Sequence, residues 1–395
     1  MTETIIFLLF NLLWLCYTTI NRCLRIILGR CFMFGEAAPV AAGKTLKLKI
    51  LWRAKSRGVQ AIQELASLDN FILYFDSYVE NVAAELRNIE VSLYGFTQEF
   101  AYFSVVSPGQ DVWTGVFSSP EQFNKARYLL LVPQNKLREI LGEAPLTRDK
   151  TIYFLHHTNR CGSTLIAAMF KRLSSTRVIC EPESLYSAYY LYHVKKTITK
   201  EHYSQLVVLA VGTHCLTHHH TIFFKTVSGV GTSQINILSQ FFPNSKTVFL
   251  SRNCGDVVKS MMRIVESGHP LMVRALGMSW ESFANLCLWA RSKQNIPREF
   301  PAVLLLHWEL CMTAVARAAI PIKSLTYEDL VDDPLNTVRS LLEFLEMPTE
   351  HAEDMIIAME QDSQEGTRIS RAVLKPHFKD PSKASNQLVS KNFRG

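Results

Sequence analysis

The sequence predicts an α/β domain whose parallel sheet is flanked by helices, preceded by an apolar amino-terminal helix and a small α+β region. Three observations support this. From Thr151 onward, short apolar segments alternate with helical patterns, which is typical of parallel strands joined by covering helices. Ile5–Ile20 is almost wholly apolar. Between the two, helical spacing and short alternating runs are mixed. We therefore expect an anchor with its basic flank at 1–35, an accessory α+β region at 36–150 and the α/β domain at 151–395.

The first element is the apolar run Ile5–Ile20, which we interpret as an uncleaved single-pass membrane helix. It is a little short for a span, but Arg22 and Arg25 can extend it by snorkelling. A cleaved signal peptide fits less well, because the positive charges follow the apolar run instead of preceding it. A buried core helix is the remaining alternative.

Charge is concentrated just after this run. The segment from Arg22 to Arg57 contains nine basic residues and one acid, a net +8, so the remainder carries −1 of the chain's +7. A near-neutral body argues against a broad nucleic-acid-binding surface. The positive-inside rule places the body in the cytosol, and the absence of any Asn-X-Ser/Thr sequon agrees with that orientation.

The accessory region shows no chemistry that we can name. Spacing predicts helix over 54–88, a β-hairpin over 91–117 with its turn at 107–109, and helix again over 123–141. Segments 36–43 and 142–150 are expected to be linkers.

In the α/β domain the pattern predicts five strands and at least four helices. The strands are 151–155, 177–180, 221–226, 246–251 and 322–326; the helices are 163–173, 232–241, 256–265 and 334–345. Ligands of such sheets bind at the carboxyl ends of the strands.

Two strand–loop–helix turns lie at such ends. In the first, TIYFLHHTNRCGSTL from Thr151, Arg160 and two hydroxyls stand where the loop enters a helix, an arrangement suited to a phosphate or sulfate group. In the second, TVFLSRNCGDVVKSM from Thr247, Arg252 ends the strand and Ser260 follows eight residues later. Arg252 alone could be a surface ion-pair residue, but the paired spacing favours ligand binding.

The first turn differs from the nucleotide-triphosphatase loop GxxxxGK[ST]. It lacks the lysine, and His157 occupies the first glycine position. Gly43-Lys44-Thr45 has no preceding strand and Ala38 in place of that glycine. A nucleotide kinase or hydrolase on this scaffold is therefore only an alternative.

Together the turns resemble the P-loop sulfotransferase family, which uses 3′-phosphoadenosine 5′-phosphosulfate (PAPS) and releases PAP. The resemblance rests on Arg160-Cys161-Gly162-Ser163-Thr164, on Arg252 with Ser260, and on the YEDL-x-x-DP-like stretch 327–334. It implies that residues 160–164 bind the 5′-phosphosulfate, that Arg252 and Ser260 bind the 3′-phosphate, and that Tyr327 lies near the adenine. It also implies membrane-anchored relatives in the Golgi.

The resemblance also suggests catalytic residues. The histidine that follows a Lys-Thr pair in cytosolic relatives is Val227 here. Other relatives use a glutamate about twenty residues beyond the first loop, which implies Glu181 as general base, with Glu183 second; a structural loop acid is the alternative. Lys225 would stabilise the bridging oxygen of the leaving phosphate. Arg368, Arg371 and Lys375 resemble, loosely, a late basic loop.

No metal is expected. His214, His218, His219 and His220 cluster without a framing carboxylate or cysteine pair, and a polar turn explains them better than zinc. The sequence thus predicts sulfonate transfer from PAPS to a hydroxyl or amine of a glycan, protein or small molecule. A non-catalytic, membrane-anchored nucleotide-binding module is the alternative. The sequence does not identify the acceptor, and a homodimer is possible.

Overall fold

The structure, a computed structural model, describes residues 43–53, 68–143, 149–267, 300–363 and 365. The expected anchor and linker at 1–42, the helix expected to begin at 54, and the basic tail beyond 365 lie outside the described residues. Backbone contacts divide the chain into two compact units, which are described separately. The first contains residues 1–151, 181–220 and 240–242, and the second 152–180, 221–239 and 243–395.

Ten strands are described. They are β1 (Thr45–Arg53), β2 (Phe71–Val79), β3 (Val91–Phe96), β4 (Phe100–Val105), β5 (Tyr128–Pro133), β6 (Thr151–His157), β7 (Thr176–Cys180), β8 (Thr221–Lys225), β9 (Lys246–Ser251) and β10 (Ile322–Thr326). They form two five-stranded sheets, ordered β2-β1-β5-β4-β3 and β10-β9-β6-β8-β7.

Twelve α-helices lie in the described ranges. They are α1 (Val82–Glu85), α2 (Ser118–Lys125), α3 (Gln134–Glu143), α4 (Ser163–Lys171), α5 (Glu183–Tyr189), α6 (Lys200–His214), α7 (Val230–Phe241), α8 (Cys254–Ser267), α9 (Phe300–Ala316), α10 (Tyr327–Asp332), α11 (Pro334–Leu345) and α12 (His351–Ile356). A π-helical turn, Tyr190–Val194, follows α5.

The first unit is built on an antiparallel sheet, because β1 pairs with β2 and β5, and β4 pairs with β3 and β5, all antiparallel. One face carries alternating apolar side chains, including Leu48, Phe71 and Leu73, that pack with Tyr94 and with Phe123 of α2. Alternation along each strand directs every second side chain into this core. The first unit is therefore α+β, and it also contains residues 181–220, which the sequence analysis places in the α/β domain.

Three local predictions for the accessory region are wrong. Within 54–88, β2 replaces the expected helix, because the 71–79 segment is rich in aromatic and β-branched residues that suit a sheet. The hairpin of β3 and β4 turns at 97–99, not at 107–109, and 112–114 forms a 3-10 turn. The helical segment expected over 123–141 is interrupted by β5.

The second unit contains a parallel sheet, since β10 pairs with β9, β9 with β6, and β8 with β7 in the same direction. This confirms the predicted α/β class with helices around a parallel sheet. The strand bounds agree with the sequence prediction to within two residues, and those of β9 and β10 agree fully. Carboxyl ends of neighbouring strands therefore meet at one edge, where a ligand site is expected.

Helices α4, α11 and α12 supply much of the second unit's apolar core, which includes Ile166, Phe170, Leu342 and Met355. Helix α11 begins as predicted, with Pro334 in its first turn and the Asp333 side chain accepting a hydrogen bond from the Asn336 backbone. Within the described residues we find no helix that combines the length and apolar character needed to span a bilayer. The predicted anchor lies outside them.

Candidate functional site

The first loop follows β6 and is fixed to the neighbouring strand β9, because the Thr158 N–H donates to the Leu250 carbonyl at 3.1 Å. Two residues of the loop have left-handed backbone conformations, Arg160 with φ 55° and Gly162 with φ 88°. Gly162 is the N-cap of α4, so the loop turns abruptly into the helix. The amino terminus of a nine-residue helix, with its free N–H groups and positive dipole end, therefore lies directly behind Arg160.

The Cys161 thiol is fully buried and donates to the Thr158 carbonyl at 2.8 Å. Burial raises the pKa of this thiol to about 11, although hydrogen bonds at Thr158 and Ser163 and the positive charge of Lys225 act in the opposite direction. The Cys161 side chain thus points into the protein interior and stabilises the loop through its hydrogen bond to Thr158. A ligand in front of the loop would meet its backbone N–H, which a serine or threonine would offer equally.

Gly162 packs directly against an aromatic ring. A Cβ at this position would lie 2.6 Å from Cδ2 of Tyr327, the first residue of α10. The same ring also contacts Arg252, whose guanidinium carbon lies 4.4 Å from the ring centroid. Tyr327 therefore connects the first loop to the second through a cation–π contact.

Hydrogen bonds join the same two loops. Arg160 Nε donates to Ser260 Oγ at 3.1 Å, and Arg252 Nη1 donates to the Arg160 carbonyl at 3.4 Å. Burial, and then the charge of Arg252, lower the pKa of Arg160, while Asp362 and Tyr327 act in the opposite direction. Residues that are about a hundred positions apart in sequence thus form one cationic cluster, which we define as Arg160, Arg252, Ser260 and Tyr327.

Two further contacts position Arg252. The Trp308 indole N–H in α9 donates to the Arg252 carbonyl at 2.9 Å, and Glu328 Oε1 accepts from the Asn253 N–H at 3.1 Å. Glu328 belongs to the 327–334 stretch that the sequence analysis selected. Trp308 was missed, because it lies in an apolar helical segment that gives no sign of a polar role.

The cationic cluster fits an anion with more than one charged group. Two guanidinium groups share one small region, which like-charge repulsion disfavours unless an anion binds there. Arg252 Nε is buried and has no hydrogen-bond partner among the described residues. A buried donor that lacks a partner costs free energy, and a phosphate or sulfate oxygen would satisfy it.

Buried histidines support the loops behind the cluster. The His157 ring nitrogens contact the Thr158 carbonyl at 2.9 Å and the Thr226 carbonyl at 2.8 Å, so one ring joins the ends of β6 and β8. His156 is also fully buried, and its Nδ1 lies 3.2 Å from Thr226 Oγ1. His307 of α9 packs on Gly229, where φ is 77°. No sequence pattern indicates a role for His307, and none defines the roles of His156 and His157 beside the first loop.

The structure brings together most of the predicted site residues. Ser163 and Thr164 form the first turn of α4 behind Arg160, and Lys225 ends β8, buried and close enough to Cys161 for its charge to act on the thiol. Their contacts with a nucleotide, and the contact of Tyr327 with adenine, stay predictions. The Tyr327 ring is already in contact with Gly162 and Arg252.

The two candidate carboxylates lie in the first unit. Glu181 directly follows β7 and has a left-handed backbone, φ 49°. Its role as base stays a prediction. Glu183 is buried in the first turn of α5, and its charge, after burial itself, raises the pKa of Tyr94. Glu183 therefore lies in the interior of the first unit, which favours a structural role.

Within the described ranges, no group of three or more His, Cys, Asp or Glu side chains is arranged to bind a metal ion. His214, the first of the clustered histidines, is buried with its ring 5.0 Å from that of Trp113, and its Nε2 lies 3.1 Å from Ser184 Oγ. These are packing and hydrogen-bonding contacts of the first unit.

Comparison with known proteins bears on this cluster. Residues 187–351 match the model of the sulfotransferase family. This part of the chain is sulfotransferase-like in sequence. The match covers Arg252, Ser260 and Tyr327, whereas residues 160–164 precede it. The family resemblance predicted from the motifs is thus confirmed over a segment that contains three of the four cluster residues. No curated protein sequence matches the chain.

Several solved structures show a distant likeness. A sulfotransferase domain from the curacin biosynthetic pathway is 15% identical, with a TM-score of 0.33, over 62% of this chain and 98% of its own. The sulfotransferase STF9 from Mycobacterium avium is 9% identical, with a TM-score of 0.35, over 56% and 71%. A mouse sulfotransferase, SULT7A1 complexed with PAP, is 12% identical, with a TM-score of 0.31, over 65% and 86%.

Gly162→Ala tests the contact of the loop with Tyr327. An L-residue in the left-handed region costs roughly 1–2 kcal/mol, and the new Cβ would also meet the ring of Tyr327. We expect the free energy of unfolding, measured by urea denaturation, to fall by at least that amount. Gly142→Ala, in helix α3 with no atom within 4 Å of its Cβ, is the control and should be neutral or slightly stabilising. Equal effects of the two changes would contradict this account.

The buried histidines predict acid sensitivity. Burial, and then the charge of His157, lower the pKa of His156 to about 3 and that of His307 to about 4. Both side chains are neutral in the folded protein but gain protons on unfolding below the unfolded pKa of about 6.5. Their stabilising effect is therefore complete above pH 6.5 and is lost as pH falls towards 4. We expect the free energy of unfolding to drop by about 1.4 kcal/mol per pH unit for each histidine.

The measurement is urea denaturation between pH 5 and pH 8. His307→Asn should reduce the slope of the free energy of unfolding against pH, below pH 6.5, by about 1.4 kcal/mol per pH unit, the contribution of one proton. His218→Gln, which removes an exposed histidine, should preserve the slope. A free energy of unfolding that stays constant from pH 7 to pH 5 in the unmodified protein would refute the prediction.

Proposed function

We propose that the protein is a PAPS-dependent sulfotransferase that moves a sulfonate group from PAPS to a hydroxyl or amine of an acceptor. The family match supports the transferase class. The observation that carries the proposal is the convergence of two cationic loops, which are distant in sequence, on one cluster with an unsatisfied buried donor. An adenosine carrier with a charged group at each end needs two such anchoring points close together.

In this proposal the first loop binds the 5′-phosphosulfate. Arg160, the backbone N–H groups at 161–164 and the hydroxyls of Ser163 and Thr164 supply positive charge and donors at the amino terminus of α4. Arg252 and Ser260 bind the 3′-phosphate. When bound, PAPS supplies an activated sulfonate, and fixed donors stabilise the charge that develops during transfer without needing a metal.

The remaining roles concern protons and the leaving group. Lys225 ends β8 beside the first loop and would stabilise the bridging oxygen of the leaving phosphate. Glu181 would take the proton from the acceptor. Its left-handed backbone supports this role indirectly, because such conformations are concentrated at functional sites.

The surroundings of the enzyme are also part of the proposal. We propose that Ile5–Ile20 anchors the chain in a membrane as a single span. The family resemblance favours the Golgi membrane with the body in the lumen. The basic flank and the absence of sequons instead favour a body in the cytosol. Protease protection in sealed microsomes distinguishes these orientations.

Binding of PAP, measured by calorimetry, tests the assignment of the cluster. Arg252→Ala should weaken binding by about 1–3 kcal/mol, the usual size for a lost charge-assisted hydrogen bond, or roughly five- to 150-fold in Kd. Ser260→Ala should weaken it less, because it removes a neutral partner.

Arg339→Ala is the matched control, since Arg339 forms an exposed ion pair with Glu353 on the second unit. Its PAP affinity should equal that of the unmodified protein. If Arg252→Ala binds PAP as tightly as the control, the 3′-phosphate site is wrongly assigned. If neither variant nor the unmodified protein binds PAP, the proposed function fails.

A further inference from the structure

Among the described residues, one face of β1, β2 and β5 in the first unit carries exposed aromatic side chains outside the cationic cluster. Lys49 lies opposite Tyr74 on one side and Tyr128 on the other, so the three side chains share a face. Lys47 stands two residues away, with Nζ 4.7 Å from the centre of the Tyr128 ring. Trp52 lies opposite Ile72, two residues from Tyr74. We call Lys47, Lys49, Trp52, Tyr74 and Tyr128 the lysine–aromatic face.

The lysine–aromatic face is open to solvent at its edge. Trp52 is 44% exposed and Tyr74 is 47% exposed, and Leu51, displaced by a bulge in β1, is 49% exposed. The opposite face of the same strands packs the core through Leu48 and Leu73. Large apolar side chains are thus exposed where folding does not require them, which marks an interaction surface.

The composition of this face indicates what it contacts. Tyrosine and tryptophan have an apolar body and a polar tip, and lysine can bury its stem while its charge stays in water. This combination is typical of the boundary between lipid headgroups and acyl chains. Interfaces between proteins, in contrast, are depleted of lysine.

Charge and chain position agree with a lipid surface. Strands β1 and β2 and the residues next to them carry Lys44, Lys47, Lys49 and Arg53 against Asp76 and Glu80. The four basic residues belong to the segment 22–57, which has net charge +8. The apolar run that ends at Ile20 precedes β1 by a segment that could span at most about 90 Å. If that run enters a bilayer, the face is held within reach of the headgroups.

We propose that the lysine–aromatic face binds the headgroup region of an anionic phospholipid bilayer. Lysines 47 and 49 would pair with phosphate and carboxylate groups, while Trp52 and Tyr74 enter the boundary layer. The proposal is independent of the sulfotransferase assignment, because none of the five residues belongs to the cationic cluster.

Hydrogen exchange of the full chain in vesicles tests the proposal. We expect the amides of 44–53 and 71–79 to exchange several-fold more slowly in phosphatidylcholine vesicles containing phosphatidylserine than in pure phosphatidylcholine. High salt should remove the difference. Brominated lipid should quench the fluorescence of Trp52, measured as the difference between the unmodified protein and Trp52→Phe. This quenching should be stronger in vesicles that contain phosphatidylserine and should be lost at high salt.

The charge-reversal pair Lys47→Glu with Lys49→Glu should abolish the slowing, since each lysine near an anionic surface contributes roughly five-fold in binding. The pair Lys195→Glu with Lys200→Glu, two exposed lysines of the first unit, is the matched control and should preserve it.

Three results would overturn the proposal. The first is equal exchange in both kinds of vesicle. The second is slowing that also occurs in detergent micelles and increases with protein concentration, which would indicate a second copy pairing along β2. The third is slowing that requires an added oligonucleotide, which would indicate nucleic-acid binding.

Discussion

The contact of the Tyr327 ring with both Gly162 and the Arg252 guanidinium is the constraint on which the candidate site depends. It places an arginine with an unsatisfied buried donor beside the amino terminus of a helix, and the Arg160–Ser260 hydrogen bond closes the same region. The positive charges are kept together by packing and hydrogen bonds despite their repulsion. Such a preorganised arrangement is what electrostatic stabilisation of a transferring sulfonate would require.

The second unit was largely predictable because its strands are short, apolar and bounded by turn residues. Strands β9 and β10 and helix α11 have the bounds that the sequence indicates. Prediction failed in the accessory region, where β2 and β5 have apolar spacing that is compatible with a helix or a strand. Only pairing with β1 decides between them, and that information is not local.

The same distinction applies to the site. Arg160, Arg252 and Ser260 could be found because their spacing resembles a family pattern, and the structure brings them together. Trp308 and His307 could not, since they lie in an apolar helix whose polar atoms acquire partners only after α9 packs on the loops. The neutral state of His156 and His307 likewise follows from tertiary burial, which no local pattern encodes.

The left-handed glycine under an aromatic ring also restricts how this chain can vary. The space that a side chain at position 162 would need is filled by the ring at 327. Enlarging one residue thus requires shrinking the other, and a smaller residue at 327 would remove the flat surface on which the guanidinium lies. In a redesigned or divergent chain, positions 162, 252 and 327 would have to change together, so substitutions at these three positions should covary.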